Sequence, residues 1–177
     1  MNHHPLEKFK YCPVCGSENF EINNVKSKRC NHCGFVYYAN PSAATAAFIV
    51  RDNRLLVVRR AKEPAKGTLD LPGGFIDMDE TAEHGMAREI MEETGLQALN
   101  IQYLFSLPNL YLYSGMTIHT LDLFFQVEVA PDAIGHPDDD AADLQWLPLD
   151  KVNPAQFGLL SIRRAVENYL NKNLSQT

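Results

Sequence analysis

The chain of 177 residues is long enough for one ordinary domain with a small appendage, and its apolar fraction of 45% can fill a hydrophobic core. Its formal net charge of −6 excludes an overall basic field, which argues against nucleic acid as a high-affinity partner. The sequence has no apolar run of the ~20 residues that span a bilayer and no apolar signal region at its start, so we expect no membrane association and a cytoplasmic location.

Four cysteines near the start form two Cys-x-x-Cys-Gly motifs. The first contains Cys12 and Cys15, and the second contains Cys30 and Cys33. Four thiolates at this spacing are typical of a closed tetrahedral Zn²⁺ site. Because so short a segment has little core of its own, we expect the zinc to be structural. Redox-active thiol pairs and a site that has lost its metal are the alternatives.

A turn signal at Asn40-Pro41 predicts the boundary between a zinc ribbon at residues 1–39 and a larger domain at residues 40–177. Two apolar runs follow it, at residues 43–50 and 55–58, and they predict a hairpin of buried strands.

Two arginines, Arg59 and Arg60, close the second of these strands. Contact of Arg59 with a substrate phosphate is one interpretation of this pair, and ordinary solvation of the strand end is the other.

Farther along the chain, paired glycines lead into a short helix that is rich in carboxylates. Gly73 and Gly74 allow the backbone to approach a cation or a phosphate closely. Thr81 is a suitable N-cap, because its hydroxyl can accept from an early helix N–H. Gly95 is a suitable end to the helix, because glycine readily adopts the left-handed conformation.

Within this helix, Glu89, Glu92 and Glu93 stand at i, i+3 and i+4 and therefore project from one side. Like charges at this spacing repel one another, and only Arg88 balances them locally. Clusters of oxygen ligands suit Mg²⁺ or Mn²⁺, so the pattern predicts a site for such a cation. A solvated acidic helix face is the alternative.

The remainder alternates between apolar runs and loops. Residues 101–107 and 117–129 predict two strands, and residues 108–115 between them predict an aromatic loop. In this loop Tyr111 and Tyr113 could stack against a base, or they could simply pack within a hairpin. The other predicted elements are an acidic loop at 132–143, a short strand at 145–147 and a helix at 158–172.

The spacing of Gly74, five residues, Glu80, seven residues and then Arg88-Glu89-Ile90-Met91-Glu92-Glu93-Thr94-Gly95-Leu96 resembles the Nudix box at each of its defined positions. The chain is thereby identified as similar to the Nudix hydrolases. That resemblance implies an α/β/α sandwich with a mixed sheet, here preceded by a small zinc ribbon, and an enzyme that cleaves phosphoanhydride bonds with Mg²⁺ or Mn²⁺.

The resemblance also implies roles for the residues of the box. Glu89 and Glu93 would be the principal metal ligands, with Glu92 completing the cluster or orienting water, and a carbonyl near Gly73 would add a ligand. Arg88 would pair with carboxylates of the box, and Glu80 would support it. The general base is left open between a box glutamate and a later loop carboxylate. The candidates in that loop are Asp138, Asp139, Asp140 and Asp143.

A zinc ribbon directly ahead of the box resembles the arrangement in NADH pyrophosphatases. Of their Ser-Gln-Pro-Trp-Pro-Phe-Pro motif, residues 106–111 keep only the serine and the first proline, so the substrate stays open. We expect a pyrophosphohydrolase that acts on a nucleoside diphosphate linked to a second moiety, such as ADP-ribose or NADH. A nucleotide-responsive regulator and an RNA-binding or decapping protein on the same domain are the alternatives. Because family members are often dimers, the resemblance also allows a homodimer.

Overall fold

The computed structural model describes residues 4–138 and 141–174, and within them it contains nine strands and two α-helices. In chain order the strands are β1 Phe20–Asn24, β2 Ser27–Cys30, β3 Val36–Tyr38, β4 Ser42–Arg51, β5 Arg54–Arg60, β6 Leu69–Asp70, β7 Ala98–Tyr113, β8 Met116–Val129 and β9 Ala141–Pro148. The helices are α1 Ala82–Thr94 and α2 Leu160–Leu174, and the short 3-10 helices Leu149–Lys151 and Pro154–Gln156 lead into α2. Neither α-helix is long and apolar enough to cross a membrane.

The N-terminal part of the chain forms a small unit around the cysteines. Strands β1, β2 and β3 pair in that order in an antiparallel sheet. Its buried core contains Cys12, Phe20 and Cys30, with Phe9 and Phe35 packed against them. The boundary predicted after residue 39 falls between β3 and β4 and stays a prediction.

A larger sheet contains the other strands in the order β6-β5-β4-β8-β7, with β9 paired to β5. Strands β4 and β8 are parallel, whereas every other pair in this sheet is antiparallel, so the sheet is mixed. Strands β4 and β5 do form a hairpin, but they pair only next to their turn. Farther along, one edge of β4 pairs with β8, and the other edge bonds to the carbonyls of Pro72 and Gly74.

Strand β4 shows why the chain has a continuous apolar run at this point. Ala46 and Phe48 belong to the core that α2 covers, while Ala47 and Ile49 belong to the core that α1 covers. Alternate side chains of a strand point to opposite faces, so a strand buried on both faces must be apolar at every position. The predicted α/β/α sandwich with a mixed sheet is confirmed.

The predicted aromatic loop at residues 108–115 is wrong. Strand β7 continues to Tyr113, and only Ser114 and Gly115 turn the chain into β8. Pro108 is accepted because β7 is an edge strand of the sheet, where one side of the backbone has no strand partner to bond. The predicted acidic loop is likewise too long, since Asp143 already lies in β9.

Both predicted helix caps are confirmed. The Thr81 hydroxyl accepts a hydrogen bond from the backbone N–H of His84 at 3.2 Å. Gly95 has a φ of 66°, and its N–H donates to the Met91 carbonyl at 2.9 Å. These two contacts fix both ends of the helix that carries the box carboxylates.

We expect Thr81→Ala to lower the free energy of unfolding by about 1 kcal/mol, because the N–H of His84 loses its partner. Urea denaturation measures this change. The exposed Thr117 on β8 provides the matched control, and Thr117→Ala should change stability by less than about 0.5 kcal/mol. Equal effects of the two substitutions would show that the cap contributes nothing.

Candidate functional site

A cavity of about 360 Å³ lies between the glycine turn, α1 and the sheet. One end, which we call the carboxylate end, is lined by Glu89, Glu92 and Glu93 of α1. A second part of the lining, which we call the inner end, comes mainly from strand residues and from the start of α2. The inner end comprises Arg60, Asp70, Asn109, Tyr111, Thr120, Asp122, Leu159 and Ile162.

The glycine turn is held tightly against β4. The carbonyls of Pro72 and Gly74 accept hydrogen bonds from the N–H groups of Ala47 and Thr45 at 2.9 and 2.8 Å. Gly73 has a φ of 149°, and a Cβ at this position would lie 2.1 Å from the Thr45 carbonyl oxygen. Only glycine allows so close an approach, and this explains the paired glycines ahead of the helix.

The three glutamates of α1 lie in different environments. Glu93 is buried, with 7% of its surface exposed, and its Oε2 accepts from the Gly73 N–H at 2.9 Å. Glu89 packs against the turn so closely that a Cβ at Gly74 would lie 2.5 Å from its carboxylate. Glu92 is the most open, with 47% of its side chain exposed. The structure thus places all three at the same end of the cavity but at different depths.

Arg88 pairs with the carboxylates around it, as predicted. Its Nη1 donates to Glu89 and Glu92 at 2.8 and 2.9 Å, and its Nε and Nη2 each donate to Glu80 at 3.0 Å. Nη2 also donates to the carbonyl of Phe75 at 3.0 Å. The hydrogen bonds that Arg88 donates to Glu80, and after them those to Glu89 and Glu92, raise the pKa of Arg88. The bonds between Arg88 and Glu80 also lower the pKa of Glu80.

Glu89 and Glu92 converge on Nη1 of Arg88, and the three glutamates of α1 do not form a ready group of metal ligands. Across residues 4–138 and 141–174, only the cysteines bring three or more ligand atoms within 4.8 Å of one another. The carboxylate end nevertheless supplies the oxygen ligands that Mg²⁺ and Mn²⁺ prefer. They include those of the buried Glu93 and of the half-exposed Glu92. A divalent cation would therefore bind here in competition with part of the Arg88 network.

An ion pair between the partly buried Arg60 and the buried Asp70 lies at the inner end. Arg60 Nη1 donates to Asp70 Oδ2 at 2.6 Å, its Nε donates to the Pro64 carbonyl at 2.8 Å, and its Nη2 lies 3.4 Å from the Tyr111 hydroxyl. Burial raises the pKa of Asp70, and the neighbouring guanidinium opposes that rise. Because Arg60 is held from three sides, its position in the cavity is fixed before any ligand binds.

A second buried carboxylate, Asp122 of β8, lies at the same end. Its Oδ1 accepts from the Thr120 hydroxyl at 2.6 Å, and its Oδ2 accepts from the Ser161 hydroxyl. Ser161 belongs to the first turn of α2, so this contact ties the C-terminal helix to β8. Asn109 of β7 pairs directly with Thr120 across the strands and lies beside this group.

The residues predicted to bind substrate are only partly brought together. Tyr111 lines the cavity, with its ring edge-on to Phe75 at 5.6 Å between centroids. Tyr113 does not line it and instead stacks on Tyr111 at 6.5 Å. Arg59 donates to the Gly67 carbonyl at 2.7 Å, outside the cavity. Neighbouring residues of a strand point to opposite faces, and it is therefore Arg60 that reaches the cavity.

Several lining residues had no place among the predicted site residues. One signal was available for two of them, because Asp70 and Asp122 are charged residues within apolar strands. A charged side chain in such a position is buried only where it is paired. No comparable signal marked Asn109, which followed a proline in a segment interpreted as a loop.

Of the later aspartates, Asp138 and Asp143 do not line the cavity. Asp138 is exposed, although its backbone N–H donates to the carbonyl of Glu93 at 3.1 Å. Asp143 accepts from the Gln145 amide at 2.7 Å in β9. Asp139 and Asp140 lie outside the described residues. The identity of the general base stays open.

The four cysteine sulfurs face one another at the N-terminal end. The Sγ atoms of Cys12 and Cys33 are 3.7 Å apart, and those of Cys15 and Cys30 are 3.6 Å apart. Four sulfurs at the ~2.3 Å Zn–S bond length in a tetrahedron are about 3.8 Å apart, so these distances suit a metal of that size. The group can hold a metal ion.

The family model for the NUDIX domain matches residues 40–167. These residues contain the lining of the cavity, all of α1 and about the first half of α2. The chain belongs to the Nudix hydrolase family. The carboxylates of α1 are therefore those of the Nudix box, and the glycine turn is the segment that begins it. The four cysteines lie outside the matched residues.

Individual relatives agree with this assignment. The chain is 28% identical over 173 residues to the NAD-capped RNA hydrolase NudC of Vibrio parahaemolyticus, covering 97% of this chain and 64% of that protein. A Nudix hydrolase from Nitrosomonas europaea has a similar fold, with a TM-score of 0.72, 21% identity and coverage of 92% and 91% of the two chains. The Nudix domain of Shewanella oneidensis NrtR, in complex with ADP-ribose, has a TM-score of 0.60 and 23% identity, with coverage of 76% and 90%. The chain spans less than two thirds of the NudC relative.

We expect Gly73→Ala to destabilise the Nudix domain by about 2–4 kcal/mol, because the added methyl group meets the backbone of β4. Urea denaturation measures the loss. Gly115→Ala is the matched control, since Gly115 also has a positive φ, of 72°, but its nearest neighbour would be 3.6 Å away. It should cost only the ~1 kcal/mol of a strained backbone. Similar losses in both variants would mean that the contact with Thr45 is relieved easily.

Proposed function

We propose that this Nudix protein is a metal-dependent pyrophosphohydrolase that cleaves a nucleoside diphosphate linked to a second moiety, such as ADP-ribose or NADH. The supporting observation is the division of one cavity into a carboxylate end and an inner end with a fixed arginine and an aromatic side chain. The first suits a metal-bound diphosphate and the second suits a nucleoside. A cavity of about 360 Å³ is within the usual range for small-molecule sites.

The names of the relatives support this substrate class. One relative is named for hydrolysis of NAD-capped RNA, and one structural neighbour holds ADP-ribose. Both NAD and ADP-ribose contain an adenosine diphosphate unit with a second group attached to its terminal phosphate. A diphosphate bridge between two groups is therefore the feature that we expect the enzyme to recognise.

The chemistry follows from the residues of the carboxylate end. Mg²⁺ or Mn²⁺, when held by Glu89, Glu92 and Glu93 with the carbonyl of Gly73, would neutralise the phosphates and activate the attacking water. Glu93 is held in place by the Gly73 N–H. Arg88 and Glu80 act as positioning residues, since they set the orientation of the other carboxylates. Arg60 and Tyr111 are placed to bind the remainder of the substrate, with Tyr113 supporting Tyr111.

The four cysteines hold a structural Zn²⁺ in this proposal. Closed sites of four thiolates have no open position for substrate, so their contribution is to folding. Cysteines that hold a metal instead of forming disulfides are typical of a reducing compartment, and we therefore infer a cytoplasmic protein.

An RNA whose 5′ end carries NAD is the second candidate substrate, because the NudC relative is named for hydrolysing such an RNA. The chemistry is the same, and the difference is whether a nucleic acid strand can lie beside the cavity. The net charge of −6 disfavours that strand, since single-strand binding uses a positive groove. A regulator that only senses the nucleotide is disfavoured by the complete set of box carboxylates.

We expect Glu93→Gln to lower kcat by about 100-fold or more on whichever substrate is hydrolysed, because a buried metal ligand is lost. The assay contains Mg²⁺ and ADP-ribose, NADH, NAD, diadenosine polyphosphates or NAD-capped RNA. Glu83→Gln is the matched control, because Glu83 is an exposed glutamate of the same helix and does not line the cavity. Absence of hydrolysis of every substrate by the natural protein, or full activity of Glu93→Gln, would contradict the proposal.

We expect the purified protein to contain an equimolar amount of zinc, measured by atomic absorption, and a strong chelator to unfold the N-terminal sheet. Cys30→Ser should lose the metal, because one thiolate of four is removed. His32→Ala is the control and should retain it, since His32 is exposed and is not part of the sulfur group. A metal-free protein that stays folded would overturn the zinc assignment.

A further inference from the structure

Asn109 differs from the other polar residues of the inner end. It lies on β7, it is 8% exposed, and it lines the cavity. Its side-chain amide makes no hydrogen bond within residues 4–138 and 141–174. Among these residues, the Thr45 hydroxyl is the one polar side-chain atom that is both sealed from solvent and unpaired. The unpaired amide of Asn109 is therefore not sealed, and it is open to the cavity that it lines.

The neighbours of Asn109 are already paired. Asp70 is bound by Arg60, and Asp122 accepts from Thr120 and Ser161. A buried amide without a partner is costly to a folded protein, and buried side-chain polar groups are nearly always paired. The inner end is thus complete except at Asn109, and a ligand that enters the cavity is the partner that can complete it.

The charges of the inner end disfavour a phosphate as that partner. Two buried carboxylates, Asp70 and Asp122, lie there against the partly buried guanidinium of Arg60. The surrounding charge is therefore negative, and it favours a neutral group that carries hydrogen-bond donors.

The amide of asparagine presents a donor beside an acceptor, so its match is a planar group with an acceptor beside a donor. Adenine has this pattern at its amino group and the adjacent ring nitrogen, and asparagine recognises it by two parallel hydrogen bonds. Tyr111, two residues along the same strand, lies on the same side of the hairpin with Phe75 against it. These rings give an aromatic wall for a base.

We propose that Asn109 determines the specificity of the cavity by binding the hydrogen-bonding edge of an adenine ring. The inference rests on the proposed function in that adenine would be the base of the nucleoside diphosphate. It adds the residue that recognises the base.

The first test measures equilibrium binding of AMP and of purine riboside 5′-monophosphate by calorimetry, which needs no catalysis. This analogue has a hydrogen atom in place of the amino group of adenine, so either orientation of the Asn109 amide loses one of its two hydrogen bonds. The natural protein should bind AMP about 5- to 30-fold more tightly than the analogue, which is the discrimination of one hydrogen bond whose buried partner is left unpaired. Asn109→Leu and the smaller Asn109→Ala should reduce that ratio to near one.

Asn100→Leu is the matched control. Asn100 is an exposed asparagine of the same strand, outside the cavity, where it contacts Glu128 at 3.4 Å. Its substitution should leave the ratio of AMP to purine riboside 5′-monophosphate affinity unchanged. Thermal unfolding of all three variants identifies any that does not fold, and Asn109→Ala keeps the test valid if the leucine variant fails.

The second test compares hydrolysis of ADP-ribose with that of its analogue lacking the amino group of adenine, and of NAD with that of its nicotinic acid analogue. We expect the loss of kcat/KM to follow the change in the purine and to disappear in the Asn109 variants. An effect of the nicotinic acid change alone, or a ratio of AMP to purine riboside 5′-monophosphate affinity that is unchanged in both variants, would overturn the adenine assignment. Specific binding of AMP without any hydrolysis would instead contradict the proposed function and leave this inference supported.

Discussion

The guanidinium of Arg88 joins three carboxylates that would otherwise repel one another, one just before α1 and two in its C-terminal half. It contacts Glu80, Glu89 and Glu92 at 2.8 to 3.0 Å, and it also bonds to the backbone of the glycine turn. Like charges at i and i+3 or i+4 destabilise a helix, so one shared cation is the condition under which this helix can carry them. The same contacts hold the turn and the helix in a fixed relation, and the carboxylate end of the cavity exists only within that relation.

The mixed sheet positions the other half of the cavity. Strand β4 is buried on both faces, and it pairs with β8 in parallel along most of its length. The β7–β8 hairpin therefore lies next to the glycine turn, where it presents Asn109, Tyr111 and Asp122 to the space that the box helix closes. The hydroxyl of Ser161 then fixes α2 to Asp122, so the last element of the fold completes a wall of the cavity formed by earlier ones.

The N-terminal sheet is connected to this arrangement at the tip of the same hairpin. Lys8 donates to the carbonyl of Gly115 in the β7–β8 turn. The ribbon has a core of only a few buried side chains, and a metal held by four thiolates would supply the stability that so small a core lacks. An ordered ribbon would in turn limit the motion of the β7–β8 hairpin, which carries Tyr111. In the proposed enzyme, the zinc site and the catalytic metal site would then be connected through the turn at Gly115.

The sequence by itself determined those features that depend on residues close together in the chain. The caps at Thr81 and Gly95, the one-sided glutamates of α1, the paired cysteines and the buried strand β4 are each set by local spacing, because helix and strand periodicity fix which side chains share a face. Only the tertiary structure decided the inner end, which combines β5, β6, β7, β8 and α2. The segment at 108–115 contains the proline, asparagine and glycine of a loop, and pairing with β8 at the edge of the sheet overrides that local preference. The same pairing turned Asn109 toward the cavity, because the face on which a strand residue lies depends on its register with a partner that is distant in sequence.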